Sequence, residues 1–362
     1  MPPISFARGA PSPECLDVPL ISDCARAALE RDGETILSYG VGGGYGPLRE
    51  LLAERHGVDP GRVFLTAGGL QGFSFFIGLQ LVRKPGRVLV EGPTYDRPLK
   101  LLRWQGADVV SLPMDDDGLD LDALEAELRR GGDISFLYTI PTFQNPSGRS
   151  LAADRRRRLV ELAREHDLDV LEDDPYGLVR YEGAALPRLH ELDGGERVTF
   201  TSSFSKTVAP GLRVGWFVVP EALRAAYDDR VVSTLISPSL LPQAIVHELH
   251  VRGAFEPNLE RIQGLLRLRK DTMLAALERG MGENVTWSFP EGGYFLWVDL
   301  PEGTDSEELL RRSTDEGVTF VKGADFFANG GGESSLRLAF SYETPERINR
   351  GVSLLGDLLA TR

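Results

Sequence analysis

Of the 40 basic residues in the chain only five are lysines, Lys84, Lys100, Lys206, Lys270 and Lys322, so lysine-dependent chemistry has few candidates. Lys206 closes the run Ser203-Phe204-Ser205-Lys206, directly after a β-rich stretch at 198–202. An amine held there can condense with a carbonyl and later shuttle a proton. Groups of complementary chemistry stand at similar places elsewhere. The turn Ala67-Gly68-Gly69-Leu70-Gln71-Gly72 opens a helical stretch, and free backbone N–H groups at a helix start suit a phosphate. Arg213 can add a bidentate contact to the same anion. Tyr95 can stack on an aromatic ring, Asp173 can keep a pyridine nitrogen protonated, and Asn145 and Tyr176 can hydrogen-bond a phenolic oxygen. Together these complement pyridoxal 5′-phosphate, whose protonated ring acts as an electron sink.

Such residues need a scaffold that gathers them. Between 62 and 219, β-rich runs at 62–66, 87–91, 107–112, 134–139, 168–172, 198–202 and 214–219 alternate with helical stretches such as 70–82, 119–130 and 152–166. Alternation of this kind implies βαβ crossovers and a mostly parallel, seven-stranded sheet covered on both faces. The link from 198–202 to 214–219 is too short for a crossover helix, which predicts one antiparallel strand. Ligands of open parallel sheets bind outside the carboxyl ends of the strands, and five successive strand ends carry the polar residues named above. Beyond Pro220 the pattern changes to helical stretches at 221–252 and 256–279, strand-like runs at 285–289, 294–299, 317–321 and 335–340, and a helix at 345–361. The expected division is a large cofactor-binding domain over 39–249 and a smaller α+β domain over 250–362. Residues 1–38, with five prolines, read as an irregular segment that belongs with the smaller domain across the junction.

A net charge of -14 argues against nucleic-acid binding, which needs a basic face. Two cysteines, Cys15 and Cys24, make neither a disulfide framework nor a four-ligand zinc site. With no long apolar run and no signal-peptide pattern, a cytoplasmic protein is expected. His247-Glu248-Leu249-His250 has i, i+3 spacing and no third ligand, so no metal is expected and the segment reads as a solvated helix face. The run Arg155-Arg156-Arg157-Arg158 reads the same way. The glycines of 40–46 follow no strand, which excludes a dinucleotide fingerprint.

The segment 203–216, with Lys206, Pro210, Gly211 and Arg213, resembles the lysine motif of class I/II aminotransferases of PLP fold type I. The likeness is to the branch with kynurenine/aminoadipate aminotransferases and the MocR regulator domains. Supporting segments are Tyr39-Gly40 with Leu48-Arg49, Glu91-Gly92-Pro93-Thr94-Tyr95, 143–148, 172–177 and 336–341, in the family's order. The resemblance implies that Lys206 carries the cofactor, Asp173 pairs with its ring nitrogen, and Asn145 and Tyr176 contact its phenolic oxygen. It implies a stacking role for Tyr95, and phosphate contacts from Gly68, Gly69, Leu70, Ser203 and Arg213, joined by Tyr39 of a second subunit in a homodimer. It implies catalytic roles for Lys206, Asp173 and Tyr176, and substrate contacts from Arg337, Asn145, Arg8 and Gly9, with Arg337 on the α-carboxylate.

Two positions depart from the family pattern. The phosphate turn Gly68-Gly69-Leu70-Gln71 lacks the usual serine and first glutamine, so backbone donors survive and side-chain donors do not. Arg8 stands where relatives commonly have glycine. The expected function is transfer of an amino group between an amino acid and a 2-oxo acid. The alternatives are a β-lyase, decarboxylase or oxidase on the same scaffold, or a non-catalytic PLP-binding sensor. The acidic charge and the early start of the aminotransferase pattern count against the sensor.

Overall fold

The computed structural model describes residues 2–361. Its largest sheet has the order Val63–Thr66, Gly215–Val218, Val198–Ser203, Val170–Asp173, Ile134–Thr139, Arg87–Gly92, Val109–Asp115, Gly118–Leu119. Gly215–Val218 runs antiparallel to both neighbours, as its short connection predicts, and the five strands from Val198–Ser203 to Val109–Asp115 are parallel. The eighth strand, Gly118–Leu119, is a two-residue hairpin return on Val109–Asp115 that the seven-stranded expectation lacked. It is too short to leave a period-2 signal.

Alternate side chains cover alternate faces of this sheet. Val88, Val90, Phe136, Tyr138 and Phe217 pack with Phe73, Phe76 and Tyr227 on one side. Leu89, Leu137, Val170 and Val198 pack with Leu159 and Leu162 of helix Ala153–Glu165 on the other. Burial on both faces explains why these strands read as nearly continuous apolar runs. A second, four-stranded antiparallel sheet orders Thr286–Trp287, Phe295–Asp299, Ser335–Ala339 and Val321–Lys322, and its core includes Met273 and Leu277 of helix Phe255–Gly280 and Ile348 and Val352 of helix Pro345–Ala360.

Several expectations are corrected. The stretch 221–252 is two helices, Glu221–Leu235 and Leu240–Val251, because Pro238 cannot donate to a continuing ladder and Ile236 turns to φ 66°. The run 317–321 splits at Phe320: Val318–Thr319 pairs with Ile4–Ser5, whereas Val321–Lys322 pairs with Ser335–Ala339. Residues 1–38 are not irregular throughout, since Val18–Ile36 is a helix capped by the Asp17 side chain, with Pro19 tolerated in its first turn. It buries Cys24, Ala28 and Ile36 in one core with Leu240, Ala244 and Leu249 of helix Leu240–Val251.

That packing also corrects the solvated reading of 247–250. Glu248 is buried and paired with Arg31 and Arg252, and the His250 ring stacks on Phe255 with centroids 4.1 Å apart. Arg156, expected on a solvated face, is 0% exposed. Its guanidinium donates to the carbonyls of Leu151 (2.9 Å), Pro187 (3.1 Å) and Pro141, and to the Thr142 hydroxyl at 2.9 Å. One member of a charge run can therefore be a core residue when loop carbonyls converge on it.

Candidate active site

The carboxyl ends of the parallel strands open onto a cavity of about 220 Å³ lined by Gly69, Leu70, Tyr95, Asn145, Asp173, Tyr176, Ser203, Lys206 and Arg213, among others. Nine residues singled out in the sequence therefore share one wall system. Several stand at or just beyond a strand end: Asp173 ends Val170–Asp173, Ser203 ends Val198–Ser203, and Tyr95 follows Arg87–Gly92.

At the floor of the cavity, Lys206 Nζ donates to the Gly9 carbonyl oxygen at 2.7 Å and lies 5.1 Å from the Tyr294 ring centroid. Each of the other four lysines is ion-paired, to Asp167, Asp96, Glu182 and Glu307. Burial lowers the Lys206 pKa to about 8, and the positive charges of Arg337 and Arg213 push in the same direction. Asp173 moves the other way: burial raises its pKa to about 7, opposed by a 2.8 Å hydrogen bond donated by the Tyr138 hydroxyl to Oδ2. Tyr95 is pushed up to about 12, chiefly by burial, and burial raises Tyr176 well above the usual phenol range. A lysine brought down and a carboxyl brought up within one cavity is the pattern of a site built for proton transfer.

The phosphate-like corner is built from backbone. Gly68 has φ +87°, and a Cβ on it would fall 2.2 Å from Arg213 Nη2. A Cβ on Gly215 would fall 2.7 Å from the Gly68 carbonyl carbon and 2.8 Å from Gly69 N, so the turn packs directly on the strand. Gly69 and Leu70 begin helix Gly69–Arg83, where no preceding turn accepts from their amides. Arg213 takes the left-handed conformation (φ 52°) and is held by Nη2 to the Ala67 carbonyl (2.9 Å) and Nη1 to the Pro210 carbonyl (3.1 Å). Such a backbone costs about 1–3 kcal/mol and persists where the surroundings hold it. This corner fits a phosphate, and with Asp173, Tyr95 and Lys206 around the same cavity the residues present fit the whole of pyridoxal phosphate.

Arg337 is 6% exposed and arrives from the smaller sheet. It donates to Asn145 Oδ1 (2.9 Å) and to the Ala7 carbonyl (2.8 Å), while its buried Nε has no partner. Its guanidinium carbon lies 4.2 Å from the Phe295 ring centroid, and burial lowers its pKa to about 10. Gly9 fits under Phe295 only as glycine, since a Cβ would fall 2.4 Å from the ring. Arg8 is exposed, with its guanidinium 4.4 Å from the Tyr342 ring centroid. Tyr39 is 82% exposed. Neither is among the cavity-lining residues. The sequence reading did not name Tyr138 or Tyr294, and it gave no role to Gly215 or to Glu91, whose buried carboxylate accepts from Thr139, the Ile140 amide and Gln144 and so sets the loop before Asn145. Tyr138 had one signal: it is the single phenol in the central strand Ile134–Thr139.

A mostly parallel sheet, a second small sheet and a lysine at the strand ends define a pyridoxal-phosphate enzyme of fold type I. The model of the family "Aminotransferase class I and II" matches residues 4–355. The chain belongs to that family, and it is a PLP-dependent aminotransferase. It is 40% identical to the 2-aminoadipate transaminase of Thermus thermophilus over 98% of this chain and 90% of the relative. Among solved structures it superposes on the Pyrococcus horikoshii kynurenine aminotransferase, described in complex with PMP, with TM-score 0.95 and 34% identity, covering 100% of this chain and 91% of that one. It superposes on the alpha-aminoadipate aminotransferase of Thermus thermophilus, complexed with N-(5'-phosphopyridoxyl)-L-leucine, with TM-score 0.93 and 38% identity, covering 99% and 92%. Among the described residues no helix is long and apolar enough to cross a membrane.

Proposed function

We propose that Lys206 is the residue that binds the cofactor covalently and then carries the substrate's α-proton, and that the preferred donors have an acidic or polar side chain. The observation that carries the first part is the state of Lys206: it alone among the lysines lacks a carboxylate partner, and its pKa falls to about 8. An amine with that pKa can both accept and return a proton near neutrality. Bound pyridoxal phosphate supplies the carbonyl that takes up the amino group and the ring that accepts the electron pair of the breaking Cα–H bond. Asp173 would hold positive charge on the ring nitrogen, Asn145 and Tyr176 would donate toward the phenolic oxygen, and Tyr95 would pack against the ring, since all four line the cavity. The amides of Gly68, Gly69 and Leu70 would hold the phosphate with Ser203 and Arg213. Arg337 turns a charged donor to the substrate carboxylate, a role supported by its unpartnered Nε.

Arg8 supports the second part. It lies between Ala7 and Gly9, whose carbonyls meet Arg337 and Lys206, so its backbone is held beside both of these residues. A planar fork there suits a distal carboxylate, and a 40% identical relative is a 2-aminoadipate transaminase. The holoenzyme and its Arg8→Gly variant are assayed on glutamate, 2-aminoadipate and leucine. A loss of kcat/KM of about tenfold or more confined to the two acidic donors is expected from one charged hydrogen bond. An equal loss on leucine would make Arg8 a structural residue.

The functional unit is a homodimer in the cytoplasm. Leu37, Tyr39, Val41 and Ile236 are exposed, and Gly40 N donates to Ser237 Oγ, which brings these two segments side by side as one apolar face. Tyr39 on that face reaches the phosphate of the second subunit. Mixing Tyr39→Ala with Lys206→Ala protein should therefore restore activity in hybrid dimers. Cys15 and Cys24, both free and buried, suit a reducing compartment.

A further inference from the structure

We infer that Tyr138 is a positioning residue that holds Asp173 in its working orientation and keeps it ionised. The inference rests on the reading of Asp173 given above and extends it to a residue that makes no contact with the cavity itself. Tyr138 and Asp173 come from neighbouring parallel strands, Ile134–Thr139 and Val170–Asp173, in which Tyr138 is paired with Leu171. Residues 171 and 173 point to the same face, so Tyr138 and Asp173 share that face and a tyrosine spans the diagonal between them. Glu91, Thr139 and Glu172 take the opposite face, since Thr139 is paired with Glu172 and donates to Glu91. Strand alternation thus separates two carboxylate systems across the thickness of one sheet.

Tyr138 is 0% exposed, and its ring stands edge-on to Phe73 with centroids 5.2 Å apart. Packing therefore fixes the ring, and the ring fixes the hydroxyl. The hydroxyl has a hydrogen to give because burial and the adjoining Asp173 carboxylate raise its pKa well above the ordinary phenol value. It donates to Oδ2 of Asp173 at 2.8 Å, which leaves Oδ1 for a ligand in the cavity that Asp173 lines. The other charges around Asp173 do not settle its protonation in the same direction: Asp174 and Glu91 favour the neutral acid, Lys206 favours the carboxylate, and the phenols of Tyr95 and Tyr176 face the same space. After burial, the Tyr138 hydrogen bond is the largest influence on the group, and it acts against burial. Without it, one proton shared between Asp173 and a ring nitrogen would rest more on the carboxyl oxygen, and the ring would lose the positive charge that makes it an acceptor.

The test uses the holoenzyme, three single variants and one double variant. Tyr138→Phe keeps the ring in its slot and removes the hydroxyl, Tyr138→His returns a donor, and Asp173→Asn removes the partner. For Tyr138→Phe, the dissociation constant of pyridoxal phosphate should rise about tenfold or more, the loss expected for a hydrogen bond to a charged group. The acid limb of kcat/KM should move to higher pH by about one unit, the equivalent of a tenfold change. The pH titration of the bound cofactor's absorption should shift as well, and Tyr138→His should recover part of each effect. In the Asp173→Asn background, Tyr138→Phe should change cofactor affinity less than about twofold, because the two groups act as a unit. A Tyr138→Phe protein with unchanged cofactor affinity and pH profile, beside an Asp173→Asn protein that is impaired in both, overturns this inference alone. An Asp173→Asn protein unaffected in both overturns the assignment of Asp173 together with it.

Discussion

Two buried arginines, Arg156 and Arg337, show how the same expensive group is put to different ends. Both lie out of water, and burial lowers the pKa of each. Arg156 directs its nitrogens to three loop carbonyls and a threonine hydroxyl, and nearby Glu172 accepts from the Leu189 amide at 3.0 Å and the His190 amide at 2.9 Å. Arg337 has two protein acceptors and a buried Nε without one. A buried donor left unmatched costs roughly 1–3 kcal/mol, so a fold keeps it only where something else is gained. Arg156 spends its donors on setting a loop, whereas Arg337 keeps one donor unspent.

The largest effect separating the two regions is expected from Lys206→Ala. Amino transfer should disappear while the melting temperature stays near that of the wild type, read by product formation and by calorimetry on the same sample. Turnover near the wild-type rate would remove Lys206 from the mechanism. Arg156→Ala should do the reverse. Leaving several buried acceptors empty is expected to destabilise the fold by about 3 kcal/mol or more, with the activity per folded molecule largely retained. An urea titration with unchanged midpoint would show that the guanidinium is not what sets the loop.

Arg337→Ala should raise KM for amino acids by about 10–100-fold, the range for a charged hydrogen bond of 1.5–3 kcal/mol, with cofactor content unchanged. An equal loss with a simple amine lacking the carboxylate would place carboxylate recognition elsewhere.

A smaller effect belongs to a buried histidine pair. His56 Nδ1 faces His190 Nε2 at 2.9 Å, and the Trp216 indole donates to His56 Nε2 at 3.1 Å. Burial lowers His190 to about 4 and His56 to about 2. Their folded values lie below the unfolded value of about 6.5, so their stabilising contribution is present above that pH and drains away as pH falls toward the folded values. His56 alone would cost about 2 kcal/mol at pH 5 relative to pH 7.5. The buried carboxyls Glu172 and Asp173, raised to about 7, act in the opposite sense over the same range. The contribution is therefore measured as a difference: on going from pH 7.5 to 5 the stability of His56→Gln should change by about 2 kcal/mol more favourably than that of the wild type. Parallel curves would exclude the histidine pair as a source of acid sensitivity.

What was legible in the sequence, and what was not, follows the same division. Strands carrying period-2 burial on both faces declared themselves as apolar runs, and residues at their carboxyl ends declared themselves by position, which is how Asp173, Lys206 and Tyr95 could be named before any coordinates. Contacts made by backbone left little trace. The Gly9 and Ala7 carbonyls belong to no residue type in particular, so the segment 4–12 looked irregular although it holds both Lys206 and Arg337. Residues whose partners lie far along the chain also stayed hidden. Arg156 resembled its solvated neighbours because the Pro187 carbonyl is supplied from 31 residues away. Tyr138 resembled a core aromatic because its partner is on the next strand. The helix Val18–Ile36 was masked by the prolines around it, though a proline in a first turn is harmless.

The same N-terminal segment has a consequence for how this enzyme can change over generations. Phe6, Ala7, Gly9 and Ala10 hold their partners through main-chain oxygens, to Ala339 N, Arg337, Lys206 and Ser341 respectively. Main-chain oxygens survive substitution. Gly9 is pinned by the Phe295 ring and Phe6 by the core, but positions 7, 8 and 10 can exchange side chains without removing a single one of these bonds. Mutational exploration at those three positions is thus uncoupled from the machinery beside it, and a lineage can alter what borders the cavity mouth while the lysine and the arginine stay where they are.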